Sequence, residues 1–267
     1  MPFHKEPLFF GADLTRRYGA LTEAEYLNLF AEAGGGQRVG EASTWYLYSR
    51  SAAREIYDFA PGAQIMVMLR NPVDVMYAQH GQLLFNQQEN IADFAEALAA
   101  EPLRRQGQRL PPGPLRPENL FYRDLVRFAE QLRRYFDIFP PERVHVIVYH
   151  DFARDTAGEY RRTLKFLGVD DSFLPNFERV NAGRTVRWRR LQKAAYAPPT
   201  AIRRLAPRLR RYPFVHRLRD TIVRLNSRTA ARPELNVELR GRLTRELLPE
   251  VEALEALLGR DLGAWKN

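Results

Sequence analysis

The sequence predicts an α/β fold built on a mainly parallel sheet. Two observations carry this. Gln64-Ile-Met-Val-Met-Leu-Arg70 and Val144-His-Val-Ile-Val-Tyr149 are short runs dominated by apolar residues, the pattern of parallel strands covered on both faces. Segments with helical spacing stand on either side of each run, so helix and strand alternate along the chain. With 267 residues the chain can bury a full core, and one domain over residues 1–267 is expected.

Taken in order, Thr22 is placed to N-cap a helix through Ala33, in which Leu21, Tyr26, Leu29 and Phe30 share helical spacing. Gly34-Gly35-Gly36 ends it. Val39 to Ser43 reads as a short strand, and Ser51 to Phe59 as a helix closed by Pro61-Gly62. After the first buried strand, Pro72 suits the first turn of a helix reaching about Leu84. A helix from Ile91 to about Ala100 follows. Glu101 to Asn119 holds five prolines and reads as an extended loop. Leu120 to Phe139 reads as one long amphipathic helix, leading through Pro140-Pro141 into the second strand. Thr156 to Leu167 is a helix stopped by Gly168. A last helix runs from about Pro249 to Leu258 and ends at Gly259.

The net charge of +9 is concentrated. Residues 184–232 carry 15 of the 41 basic residues against one acid, Asp220, so the remainder of the chain is net acidic. Prolines interrupt this segment, which reads as basic helical pieces appended to the sheet. Concentrated positive charge favours anionic partners. No recognised nucleic-acid module accompanies it, and the prolines break any continuous amphipathic stripe, so nucleic acid and membrane surface rank low as partners. With no cysteine, thiolate chemistry and Cys-based zinc sites are excluded. The five histidines lack metal-ligand spacing. No apolar run approaches the roughly 18 residues of a membrane span, no secretory signal is apparent, and a cytoplasmic location is expected.

The residue singled out by the pattern is Arg70, in Leu69-Arg70-Asn71-Pro72-Val73-Asp74. A buried parallel strand delivers it to the mouth of a helix, where open α/β sheets bind their ligands. Free helix N–H groups and a guanidinium fork suit a phosphate there. The bland alternative is an arginine that merely finishes a strand.

Four stretches, in order, extend this reading. They are Lys5-Glu6-Pro7-Leu8-Phe9-Phe10, Gly40-Glu41-Ala42-Ser43-Thr44-Trp45-Tyr46-Leu47, Arg70-Asn-Pro-Val-Asp74, and Phe166-Leu167-Gly168-Val169 with the tail Leu257-Leu-Gly-Arg-Asp-Leu262 and Trp265. Together they resemble the sulfotransferases that use 3′-phosphoadenosine 5′-phosphosulfate (PAPS), especially bacterial and heparan-sulfate types. The resemblance implies a P-loop-NTPase-like sulfotransferase fold and sulfuryl transfer without a metal. The implied partners are the nucleotide co-substrate and a hydroxyl or amine acceptor on a carbohydrate or small metabolite.

Carried over residue by residue, Glu6 aligns with the general base and Lys5 with a cation that neutralises the transferring group. Arg70 would hold the nucleotide's 3′-phosphate. Its usual serine partner is replaced by Ala78, with Gln79 or His80 as candidates to compensate. Arg184 and Arg187 fall where the family closes a basic loop over the nucleotide, though both also read as ordinary members of the basic segment. Trp45 and Tyr46 would line the acceptor site or pack in the core. The family's first strand and its loop, Gly-x-x-Lys-x-Gly-Thr-Thr-Ser, have no counterpart in this sequence. A start codon placed too far downstream and a truncated relative are the two expectations. The second admits a non-catalytic protein that binds anions or glycans.

Overall fold

The structure is a computed structural model that describes residues 6–14, 21–112, 116–177, 184–186, 188, 221, 225–229 and 233–266. Its sheet is small and parallel. β1 (Ile65–Leu69) pairs with β2 (Val144–Val148) in parallel, Ile65 opposite Val144 and Leu69 opposite Val148. A separate antiparallel ribbon joins β3 (Arg184–Val186) to β4 (Ser227–Thr229), within a stretch expected to be helical.

The helices in chain order are α1 (Glu23–Asn28), α2 (Ala52–Phe59), α3 (Pro72–Phe85), α4 (Phe94–Ala99) and α5 (Glu101–Arg105). They continue with α6 (Tyr122–Leu125), α7 (Phe128–Phe136), α8 (Tyr149–Arg154), α9 (Thr156–Leu167) and α10 (Val237–Leu258). Thr22 caps α1 through a full capping box, its hydroxyl accepting from Glu25 N–H while Glu25 reaches back to Thr22 N–H. Gly168 closes α9 at φ +66°, a left-handed backbone that favours glycine.

The chain divides into two compact units: residues 1–76, 123–177 and 241–267, and residues 77–122 with 178–240. The first holds the parallel sheet. Against one face of it, Ala53 of α2, Tyr135 of α7 and Phe139 pack on Val144, with Ile56, Ile65 and Val146 around them. A second cluster in this unit joins Phe10, Tyr26 and Ala52. Phe9 stacks on Tyr26 with 4.2 Å between ring centroids.

The other face is unevenly covered. His145 of β2 is bonded to Glu159 and stacked on Phe166, both from α9. Its neighbours on β1, Met66 and Met68, are 49% and 50% exposed, so β1 is not buried on both faces as its apolar run suggested. Among the described residues, α9 lies over β2 and leaves these methionines open.

In the second unit, the segment expected to be one loop contains α5 and a 3₁₀ turn at Pro117–Leu120. Its centre is polar. Arg104 of α5 grips Glu89 with two N–H donors at 2.8 and 2.7 Å, Tyr122 O–H donates to the same carboxylate at 2.6 Å, and both charged side chains are fully buried. No helix among the described residues is long and apolar enough to cross a membrane.

Candidate functional site

Arg70 follows the last residue of β1 and leads through Asn71 into α3, as the sequence predicted. Its Nη2 donates to Asp74 Oδ2 at 3.1 Å, and its guanidinium carbon stands 5.3 Å from the centroid of the Tyr149 ring. Tyr149 is the first residue after β2. Since Leu69 and Val148 are partners in the ladder, Arg70 and Tyr149 emerge side by side. The arginine side chain is 47% exposed, and the Asp74 pair is a surface ion pair worth about 0.2–1 kcal/mol. Charge-assisted bonds to a phosphate are worth about 1.5–3 kcal/mol, so an arriving anion can displace or share that partner.

The helix mouth itself is less open than the sequence suggested. Asn71 Oδ1 accepts from Val73 N–H at 3.0 Å and from Asp74 N–H at 3.4 Å, while Pro72 has no N–H to give. What this helix mouth could offer an anion is therefore the guanidinium more than its amides. Ala78 lies on α3, two turns beyond its start. His80 does not stand in for the lost hydroxyl: it is buried, its Nε2 bonds to Ile91 carbonyl at 2.9 Å, and its ring meets Phe94 and Tyr122. Because a carbonyl only accepts, Nε2 carries the proton. Burial lowers the imidazole pKa and keeps the ring neutral-leaning. Gln79 Nε2 is directed to Asn119 carbonyl at 3.4 Å.

Glu6 lies in a different cluster. It and Leu8 have left-handed backbones, φ +60° and +50°, a conformation that non-glycine residues hold only where their surroundings impose it. Close by, Glu41 accepts from Ser43 Oγ at 2.9 Å and from the Tyr46 hydroxyl. Burial pushes the Glu41 carboxyl pKa up; the two hydroxyl bonds oppose this and the charge of Glu6 adds to it. Burial and the bond to Glu41 likewise raise the Tyr46 hydroxyl. Tyr46 thus spends its hydroxyl on Glu41, and Trp45 packs edge-on against Tyr48 at 5.3 Å.

A neighbouring network escaped the sequence reading. Glu55 of α2 accepts from the N–H groups of Gly11 and Ala12 at 2.7 and 3.0 Å. Asp13 accepts from Ser51 Oγ, from Arg50 N–H and from Ser49. Burial alone would raise Asp13; these bonds outweigh it and hold its carboxyl below the usual range. Glycine suits position 11, where φ is +79° and an added Cβ would also press on Leu14 Cδ1 at 2.9 Å. Such short polar residues carry no spacing signature, because their partners lie more than 35 residues away. Lys5 and Arg187 lie outside the described residues. Arg184 begins β3.

A guanidinium at the exit of a parallel strand, beside a helix start, stands at the carboxyl end of the sheet, where open α/β proteins take their ligands. Residues 11–172 match the model of the sulfotransferase family, and the chain belongs to that family. It is similar to the crystal structure of a sulfotransferase from Alicyclobacillus acidocaldarius, with 29% sequence identity and a TM-score of 0.71. That similarity covers 100% of this chain and 87% of the other. No curated protein matches the chain.

Proposed function

We propose that the protein transfers a sulfuryl group from PAPS to a hydroxyl or amine of a carbohydrate or small metabolite, in the cytoplasm. PAPS supplies an activated sulfuryl group whose bond to the 5′-phosphate breaks as the acceptor attacks sulfur in line. Glu6 takes the acceptor's proton, and Lys5 offsets charge on the transferring group. Arg70 holds the 3′-phosphate, with Arg184 and Arg187 closing on the nucleotide from the basic segment. Trp45 and the ring of Tyr46 flank the acceptor.

The supporting observation is Arg70 itself. Its guanidinium is half exposed, steadied by Tyr149, and paired with a carboxylate weak enough to yield to a phosphate. Titrating adenosine 3′,5′-bisphosphate and adenosine 5′-phosphate into the protein tests it. The bisphosphate should bind more tightly, and Arg70→Ala should remove that margin, a loss of about 10- to 150-fold. Equal affinity for the two nucleotides in the unaltered protein would sink the reading. Ala78, in the place of a phosphate-binding serine, favours a second reading in which the protein binds anions without transferring sulfate. Sulfuryl transfer to any acceptor excludes it.

A further inference from the structure

The segment that carries Glu6 is tied down by contacts that the proposed chemistry does not use. Leu8 N–H donates to Ser43 Oγ at 3.1 Å, and Phe10 N–H donates to the Tyr46 hydroxyl oxygen at 3.3 Å. Each hydroxyl donates its own hydrogen bond to a different oxygen of one carboxylate, Ser43 to Oε2 and Tyr46 to Oε1 of Glu41. A hydroxyl has a single donor. With that donor fixed on Glu41, each oxygen faces the backbone as an acceptor only. The carboxylate therefore keeps both hydroxyls turned with their lone pairs toward the backbone N–H groups.

The links fall where the backbone most needs holding. Leu8 is itself left-handed and receives one of them, and Glu6, also left-handed, stands two residues before it. Conformations of this kind relax unless neighbouring contacts enforce them. The aromatic stacking of Phe9 and Phe10 holds the side chains of this segment but does not direct its N–H groups.

We propose that Glu41 is a positioning residue for Glu6: through Ser43 and Tyr46 its carboxylate clamps the backbone at Leu8 and Phe10 and preserves the left-handed turn that carries Glu6. The role in turnover rests on reading Glu6 as the base, whereas the clamp itself does not. Three variants, Glu41→Gln, Ser43→Ala and Tyr46→Phe, separate the two. Amide hydrogen exchange should quicken at Leu8 alone in Ser43→Ala and at Phe10 alone in Tyr46→Phe. In Glu41→Gln, which offers one acceptor where two are needed, it should quicken at both, by about 2- to 10-fold. In that variant kcat should fall by about 10- to 100-fold, while affinity for adenosine 3′,5′-bisphosphate stays unchanged. Unaltered exchange at both amides in Glu41→Gln overturns the clamp. Faster exchange with kcat intact overturns the positioning role, provided that Glu6→Gln is slow. If Glu6→Gln also turns over normally, the reading of Glu6 as base falls instead.

Discussion

At the end of β1 the guanidinium of Arg70 rests beside the Tyr149 ring and reaches sideways to Asp74. The ring restricts the arginine without competing for its N–H donors. Contacts of this type at exposed positions contribute about 0.5–1 kcal/mol. Tyr149→Leu should therefore weaken adenosine 3′,5′-bisphosphate by about 2- to 5-fold, and Tyr149→Phe should leave it unchanged, as read by calorimetric titration. Equal losses in the two variants would assign the effect to the hydroxyl. Arg70 was legible because an apolar strand pointed to it. Tyr149 was not: an aromatic residue at the end of an apolar run reads as its last strand position, and no proline or capping residue marks where α8 begins.

Among the elements, β1, β2, α3 and α9 lie within a residue or so of where period and punctuation placed them. The failures have physical causes. Val39 is the lone large apolar residue of its stretch, it is 55% exposed, and no strand forms at 39–43. The helix expected over 120–139 breaks into α6 and α7, because Gln131 Nε2 takes the Asp124 carbonyl at 2.8 Å. Phe128 N–H turns instead to Val126 carbonyl at 2.8 Å. At the new start of α7, Glu250 of α10 accepts from Ala129 N–H at 2.6 Å. A cap supplied from 121 residues away leaves no local trace. Glu250→Ala should cost about 0.5–2 kcal/mol in urea unfolding, the range for losing an N-cap. No change in the midpoint would show that water serves that amide as well. Helix α10 also runs through Pro249, where the sequence suggested a start. The buried face of Leu243, Leu247, Val251 and Leu254 outweighs the missing hydrogen bond.

For the molecule as a whole, the most consequential buried charge is Glu89. Burial alone would raise its pKa; the bonds from Arg104, Tyr122 and Ile91 N–H outweigh that and hold the carboxyl below its ordinary 4.5. A carboxylate with a depressed native pKa contributes stability that is complete above the unfolded value. That contribution is lost as pH falls through the lowered one. Stability should thus decline in acid from about pH 4.5 downward, and Glu89→Gln should flatten that decline. Near neutrality the same variant strands Arg104 and should cost about 3–5 kcal/mol. Parallel acid limbs for variant and parent would show that other carboxylates govern acid unfolding. None of this was visible in the sequence, where Glu89 and Arg104 look like two surface charges on either side of α4. The basic stretch at 184–232 was visible, because composition alone reveals it.

The arginine and its tyrosine stand opposite each other, each a single residue past the last rung of the ladder, the Leu69–Val148 pair. Their meeting therefore depends on counting. Side chains within β1 and β2 can drift among apolar types without disturbing it, whereas one inserted or deleted residue inside either strand would send cation and ring to opposite faces. Evolution can rewrite the letters of these strands freely, but it is not free to change their length.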